Sequence, residues 1–237
     1  MTAIAYTPYC PSVVFRFKNE QGFSLIEVAV VMFILVLLLG SVLVPLTTQV
    51  EQRKVSDTQK SLEQIREALL GFAVINGRLP CPDTDTDPAA AGYGEEEAAC
   101  AAPAAEGYLP WKTLGVPSMD SFGSTRTVTG SPRSGDWRYR VHRSFAVTFS
   151  LTTGVTSTDN LAVRNTAGNL VSSGTERPVA IVYSAGPNIV PDGLNATYEA
   201  TSGTYQADVP SSTFDDILIW ISRPLLMNRM VAAGKLP

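Results

Sequence analysis

A run of apolar residues from Phe23 to Leu46, broken by one carboxylate at Glu27, limits what this chain can fold into more than any other feature. From Val28 to Val44 no residue is charged, and after Ala29 only Gly40 and Ser41 interrupt the large apolar side chains. A bilayer core of roughly 30 Å takes about 20 helical residues, so 23–46 is long enough to be a membrane-spanning helix. A carboxylate near the start of such a helix is partly helped by the positive end of the macrodipole. In lipid it still calls for a cationic partner.

What precedes the run decides its meaning. Residues 1–22 carry Arg16 and Lys18 against Glu20 and end in Gly22. A secretory signal places its small-residue cleavage site after the apolar core. Here the polar stretch comes first, so cleavage at Gly22 leaves the hydrophobic helix at the start of the mature chain. With Gly22-Phe23-Ser24-Leu25-Ile26-Glu27 at the junction, the segment resembles the class III signal of type IV pilins and type II secretion pseudopilins. The resemblance implies cleavage after Gly22 by prepilin peptidase and N-methylation of Phe23. It also implies that Glu27 pairs with the N-terminus of a neighbouring subunit during assembly. The location it implies is the bacterial inner membrane, crossed once, with a periplasmic head. The partners are the lipid bilayer, an inner-membrane assembly platform and other pilin or pseudopilin subunits. The plain alternative is an ordinary signal anchor with an incidental glutamate.

Removing the leader from the 237 residues leaves enough chain for one filament-type helix and one modest head. The formal charge of the whole chain is −4, and the leader contributes one net positive charge. The remainder is therefore more acidic, which argues against general electrostatic capture of nucleic acid. Of the three cysteines, Cys81 and Cys100 lie beyond the leader. An even pair on the far side of a membrane anchor reads as a disulfide in an oxidising compartment. Closing a loop of about 20 residues stabilises by roughly 3 kcal/mol, whereas a metal site needs more soft ligands than one pair supplies.

Beyond Leu46 the chain turns polar, yet Val55, Leu62, Ile65, Leu69 and Phe72 recur largely at three- and four-residue intervals. That spacing lays an apolar stripe along a helix, and Asn76-Gly77 supplies its stop. Pro45 predicts a kink or a melted turn near 41–45. Four segments follow: leader 1–22, transmembrane half-helix 23–46, amphipathic half-helix 47–76 and globular head 77–237. Residues 77–135 read as loop-rich, punctuated by prolines, with an Ala/Gly/Glu-rich stretch at 89–107. Asp83-Thr84-Asp85-Thr86-Asp87 invites a calcium-loop reading, but Pro88 and Gly94 stand where an EF-hand needs Gly and Glu. A solvated acidic turn is the better reading.

The head is expected to be antiparallel β, from an alternating stretch at 137–151, an apolar strand at 178–184 and a third from Phe214 to Ile221. Ser222-Arg223-Pro224 starts a short terminal helix through Met230, ended by Gly234. A sheet packed on the stripe of the long helix gives an α+β architecture, the pilin fold that the resemblance implies. Leu109-Pro110 and Asp120-Ser121-Phe122-Gly123 resemble the turn into the sheet of major pseudopilins, with an insertion near 124–136.

Two candidate sites stand out in the head. Strand spacing puts Arg138, Arg140 and His142 on one face of 137–143, opposite Trp137, Tyr139 and Val141. With Arg126, Arg133 and Arg143 they form the strongly basic neighbourhood of the chain, suited to DNA binding in uptake; the plain reading is a solvent-facing strand paired with acids. Ser184-Ala185-Gly186-Pro187-Asn188, Asp192-Gly193 and Asp215-Asp216-Ile217 resemble the C-terminal loop of major pseudopilins. In that family the loop holds one calcium ion, which implies Asp216, Asp192, Asn188 and Ser184 as ligands and calcium as the one cofactor to consider. Asn188 stands where the family has Asp, and Asp192 restores the charge if the loop folds back. Catalysis finds no constellation: one histidine, no phosphate cradle and no nucleophile triad. The expected function is a structural subunit of a type II secretion pseudopilus or type IV pilus. The alternatives are a DNA-binding minor pilin and a membrane-tethered periplasmic enzyme.

Overall fold

The structure, a computed structural model, describes residues 22, 24–98, 100, 106–123, 135–155, 160–172, 177–197 and 203–236, without the side chains of 40–48. The chain divides into two compact units, 1–47 and 48–237.

A single α-helix is assigned over Leu25–Asn76 (α1). Its start is set by Ser24, whose hydroxyl and carbonyl oxygens both accept the Glu27 backbone N–H, at 3.3 and 3.0 Å. This Ser-x-x-Glu arrangement is a helix N-terminus signature with an acid in the first turn. The helical assignment continues through Pro45, where the sequence predicts a kink or melted turn. In the N-terminal unit, the apolar side chains from Leu25 to Leu39 are exposed, Leu25 by 90% and Ile26 by 74%. Among the described residues no helix is long and apolar enough to cross a membrane. The described side chains of the apolar run stop at Leu39, short of the expected span 23–46.

In the second unit α1 behaves as its sequence predicts. Leu62, Ile65 and Leu69 are fully buried, with Leu70 and Ala73 beside them. Each large side chain so buried is worth about 1.5–3 kcal/mol. Gly77, at φ +72°, takes the left-handed conformation that ends the helix.

The head carries two sheets. The larger is antiparallel in the order β1-β2-β4-β6, with β1 Gly107–Tyr108, β2 Arg138–Val141, β4 Pro178–Ser184 and β6 Ile217–Ser222. The smaller pairs β3 (Ala162–Arg164) with β5 (Thr204–Gln206) in parallel, a departure from the all-antiparallel expectation. One face of the large sheet (Tyr139, Val141, Val182 and Ile221) packs in the same cluster as Leu62, Ile65 and Leu69. The other face (Ile181 and Tyr183) packs with Leu161, Val163 and Tyr205 of the small sheet region. Buried from both sides, β4 reads as a continuous apolar run instead of an alternation. Only Arg138–Val141 of the expected 137–151 strand pairs in the sheet. Arg143–Phe145 form a 3-10 turn capped by His142, whose Nδ1 accepts the Ser144 N–H at 3.2 Å. A terminal helix α2, Arg223–Ala232, has Ser222 as its N-cap, as the sequence predicts.

Candidate assembly motif and cation site

Gly22, Ser24 and Glu27 are exposed at the head of α1; Phe23 lies outside the described residues. Among the described residues Glu27 makes no ion pair.

A second acidic site forms where 184–197 meets the lead-in to β6. Carboxylate oxygens of Asp192, Asp215 and Asp216 lie within 4.8 Å of one another. The loop is tightly built. Gly186 sits at φ +62°, and a Cβ there would fall 2.3 Å from the Asp215 carbonyl oxygen. Ile189 adopts φ 63°, sterically costly for a β-branched residue. Asp192 Oδ2 accepts the Asp215 N–H at 3.0 Å and the Asn188 amide at 3.1 Å. Asp216 is 3% exposed, and its Oδ2 accepts the Asp192 N–H at 3.0 Å and Asn195 Nδ2 at 2.8 Å. Among the described residues, its Oδ1 and that of Asp215 are buried without a hydrogen-bond partner. Burial first, then the Asp192 and Asp215 charges, pushes the Asp216 carboxyl up to about 7 against the pull of its hydrogen bonds. Three converging carboxylates, two of them holding orphaned oxygens, fit a hard divalent cation.

The structure gathers two of the four residues that the sequence suggests as ligands into the acidic cluster. Asp192 and Asp216 come together as expected, and Asp215 is the third carboxylate. Its signal was the Asp-Asp pair itself, in which either acid can turn inward. The Asn188 amide donates to Asp192, and its Oδ1 accepts the Val190 N–H at 2.7 Å. The buried Ser184 hydroxyl is taken by Asp120 Oδ2, the acid of the turn ahead of β2.

The basic strand is a correction. Arg140 is 2% exposed and His142 fully buried. Arg138 places Nε and Nη2 each 2.7 Å from Oε1 of Glu106, whose side chain is fully buried. In register, Arg138 and Arg140 face Tyr183 and Ile181 of β4, the face that the small sheet covers. No arginine surface for DNA is formed by this pair; Arg126 and Arg133 lie outside the described residues. Glu106 also accepts the Tyr183 and Tyr205 hydroxyls, at 3.0 and 2.7 Å. Its isolated place in an Ala/Gly/Glu-rich stretch gave no sign of this.

Cys81 and Cys100 form the expected disulfide, with Cα atoms 5.2 Å apart. Arg78 braces its loop by pairing with Glu96 at 2.7 Å. Asp83 in that loop is fully buried, accepting the Asp85 and Gly94 N–H groups at 2.9 Å each, so the acidic turn is not wholly solvated.

Residues 17–43 match the family model described as the prokaryotic N-terminal methylation motif. The match supports the type IV pilin and pseudopilin family, and with it a pilin-like subunit of a pilus or pseudopilus. The motif implies processing by prepilin peptidase and assembly with other pilin subunits. No curated protein and no solved structure matches the chain.

Proposed function

We propose that this chain is a structural subunit of a type II secretion pseudopilus or a type IV pilus. Prepilin peptidase cleaves it after Gly22, and it is held before assembly in the bacterial inner membrane by 23–46. The observation that supports this most is the methylation motif at 17–43 on a helix that runs to Asn76 and is followed by an α+β head. In this reading Glu27, exposed in the first turn of α1, neutralises the Phe23 amine of a neighbour as the helices bundle. Charge pairing of that kind fixes axial register, because an unpaired carboxylate in lipid is penalised at every other position.

The head's cluster of Asp192, Asp215 and Asp216 serves as a structural calcium site in the same reading. A hard cation relieves the mutual repulsion of the three acids and engages the two orphaned oxygens. Asp192, Asp215 and Asp216 would hold it; Asn188 and Asn195 orient the carboxylates.

Co-expression with a prepilin peptidase tests the assignment. Mass spectrometry should show a mature chain beginning at Phe23 with a methylated amine. A chain that keeps its leader beside an active peptidase contradicts the proposal.

A further inference from the structure

The acidic cluster is wired to the small sheet through one buried side chain, and we propose that cation occupancy there controls how firmly β5 is held, with Asn195 as the coupling residue. The inference rests on the cation reading given above. Asn195 is fully buried in the 3-10 turn Gly193–Thr197. Its Nδ2 donates to Asp216 Oδ2 at 2.8 Å and to the Gln206 carbonyl at 3.0 Å, while its Oδ1 accepts the Gln206 N–H at 2.8 Å. The side-chain amide thus pairs with the β5 backbone as a neighbouring strand would, and the same amide grips a cluster carboxylate. Asn195-Ala196-Thr197 has the spacing of a glycosylation acceptor, but a buried amide with both ends engaged is a structural clamp.

The contact on the β5 side is close-fitting. Gly193, at φ +53°, lies directly against the end of the Gln206 side chain, and a Cβ there would sit 2.3 Å from its Oε1. Gln206 Oε1 accepts the Leu194 N–H at 3.3 Å, and its Nε2 donates to Thr166 Oγ1 at 3.2 Å, just past β3. The turn at 193–197 is therefore tied to β5 at Gln206 by backbone and side chain alike. On the other side, Asp216 accepts the Asp192 N–H, so the start of the turn and its clamp hang on one carboxylate.

Three mutually repelling acids favour local opening of this loop. A divalent cation reverses that balance, fixing Asp192 and Asp216 and so the turn between them. Ordering of the turn then passes to Gln206 through Asn195. Local opening free energies are the quantity that changes, with no new global fold required.

Hydrogen exchange of the full chain in detergent micelles, with and without calcium, tests this, with binding followed separately by terbium luminescence. Saturating calcium should slow exchange of the 203–207 peptide by about 10-fold or more, together with 188–197, and leave 178–184 unchanged. With calcium raised until it saturates the variant, as terbium displacement reports, Asn195→Ala should leave 203–207 without its response while 188–197 keeps its own. If calcium binds and 203–207 exchanges at the same rate, the coupling is overturned and the cation site stands. If neither ion binds, the cation reading falls and the coupling with it. The wild-type comparison decides the matter even if the Asn195 variant fails to fold.

Discussion

Glu106 is the residue on which the polar interior of the head turns. Its buried carboxylate accepts from Arg138, Tyr183 and Tyr205, and so links β2 and β4 of the large sheet with β5 of the small one. Burial pushes the Glu106 carboxyl up, and the Arg138 charge opposes that shift. Removing one partner of a buried pair leaves an uncompensated charge, a loss of about 3–5 kcal/mol. Glu106→Gln should therefore lower the urea midpoint sharply, and Glu106→Leu combined with Arg138→Met should cost less than Glu106→Leu alone. Asp136 makes a separate prediction. Burial, then the Asp83 and Asp120 charges, pushes its carboxyl up to about 8, from about 3.9 in an unfolded chain. The folded state thus holds the proton more tightly. The stability contributed by that proton is fully present below pH of about 4 and is lost as pH rises through about 8. Asp136→Asn should gain on the wild type across that window, by about 2 kcal/mol or more at pH 9. Denaturation at pH 5 and pH 9 measures it, and an equal difference at both values refutes the assignment.

At the scale of elements, α1 carries two unrelated jobs on one periodic sequence. Its stripe of Leu62, Ile65 and Leu69 was legible because a helix repeats its contacts every three to four residues, whatever lies opposite. The start of the helix was legible as a processing signal, and the structure adds that Ser24 caps it. Glu27→Leu should leave membrane insertion intact and abolish incorporation into filaments, scored by shearing and immunoblotting. Normal incorporation of that variant defeats the charge-pairing mechanism. The same substitution removes an acid from the first turn, a loss of only about 0.3–1 kcal/mol in helix stability, so loss of assembly cannot be laid to unfolding. Strand β2 shows the opposite case. Its alternation correctly separated Arg138 and Arg140 from Tyr139 and Val141, but alternation assigns faces without saying what covers them.

At the scale of the whole molecule, the covering of both faces of the large sheet distinguishes this head from a helix with one sheet behind it. Residues 160–172 and 203–207 supply the second layer around Leu161, Val163 and Tyr205, and their strands pair in parallel over a long sequence separation. That layer turns the expected basic surface into a buried ion-pair network. It also gives the acidic loop something to act upon. If the cation site is structural, chelation of the purified chain should lower its melting temperature, and calcium at 100 times its dissociation constant should restore about 2.7 kcal/mol; a melting curve indifferent to chelator argues against the site. The sequence by itself determined what short-range chemistry fixes: the methylation motif at 17–43, the stripe and stop of α1, the strand at 178–184, the start of the terminal helix at Ser222 and the pairing of Cys81 with Cys100. Each depends on spacing along one segment or on the even pair of cysteines beyond the expected leader. Only the tertiary structure decided which acids converge, bringing Asp215 beside Asp192 and Asp216, and that Arg138 points inward to Glu106 with Arg140 buried as well. Those outcomes depend on segments far apart in the chain meeting in space, and no local pattern encodes which neighbour a side chain will find.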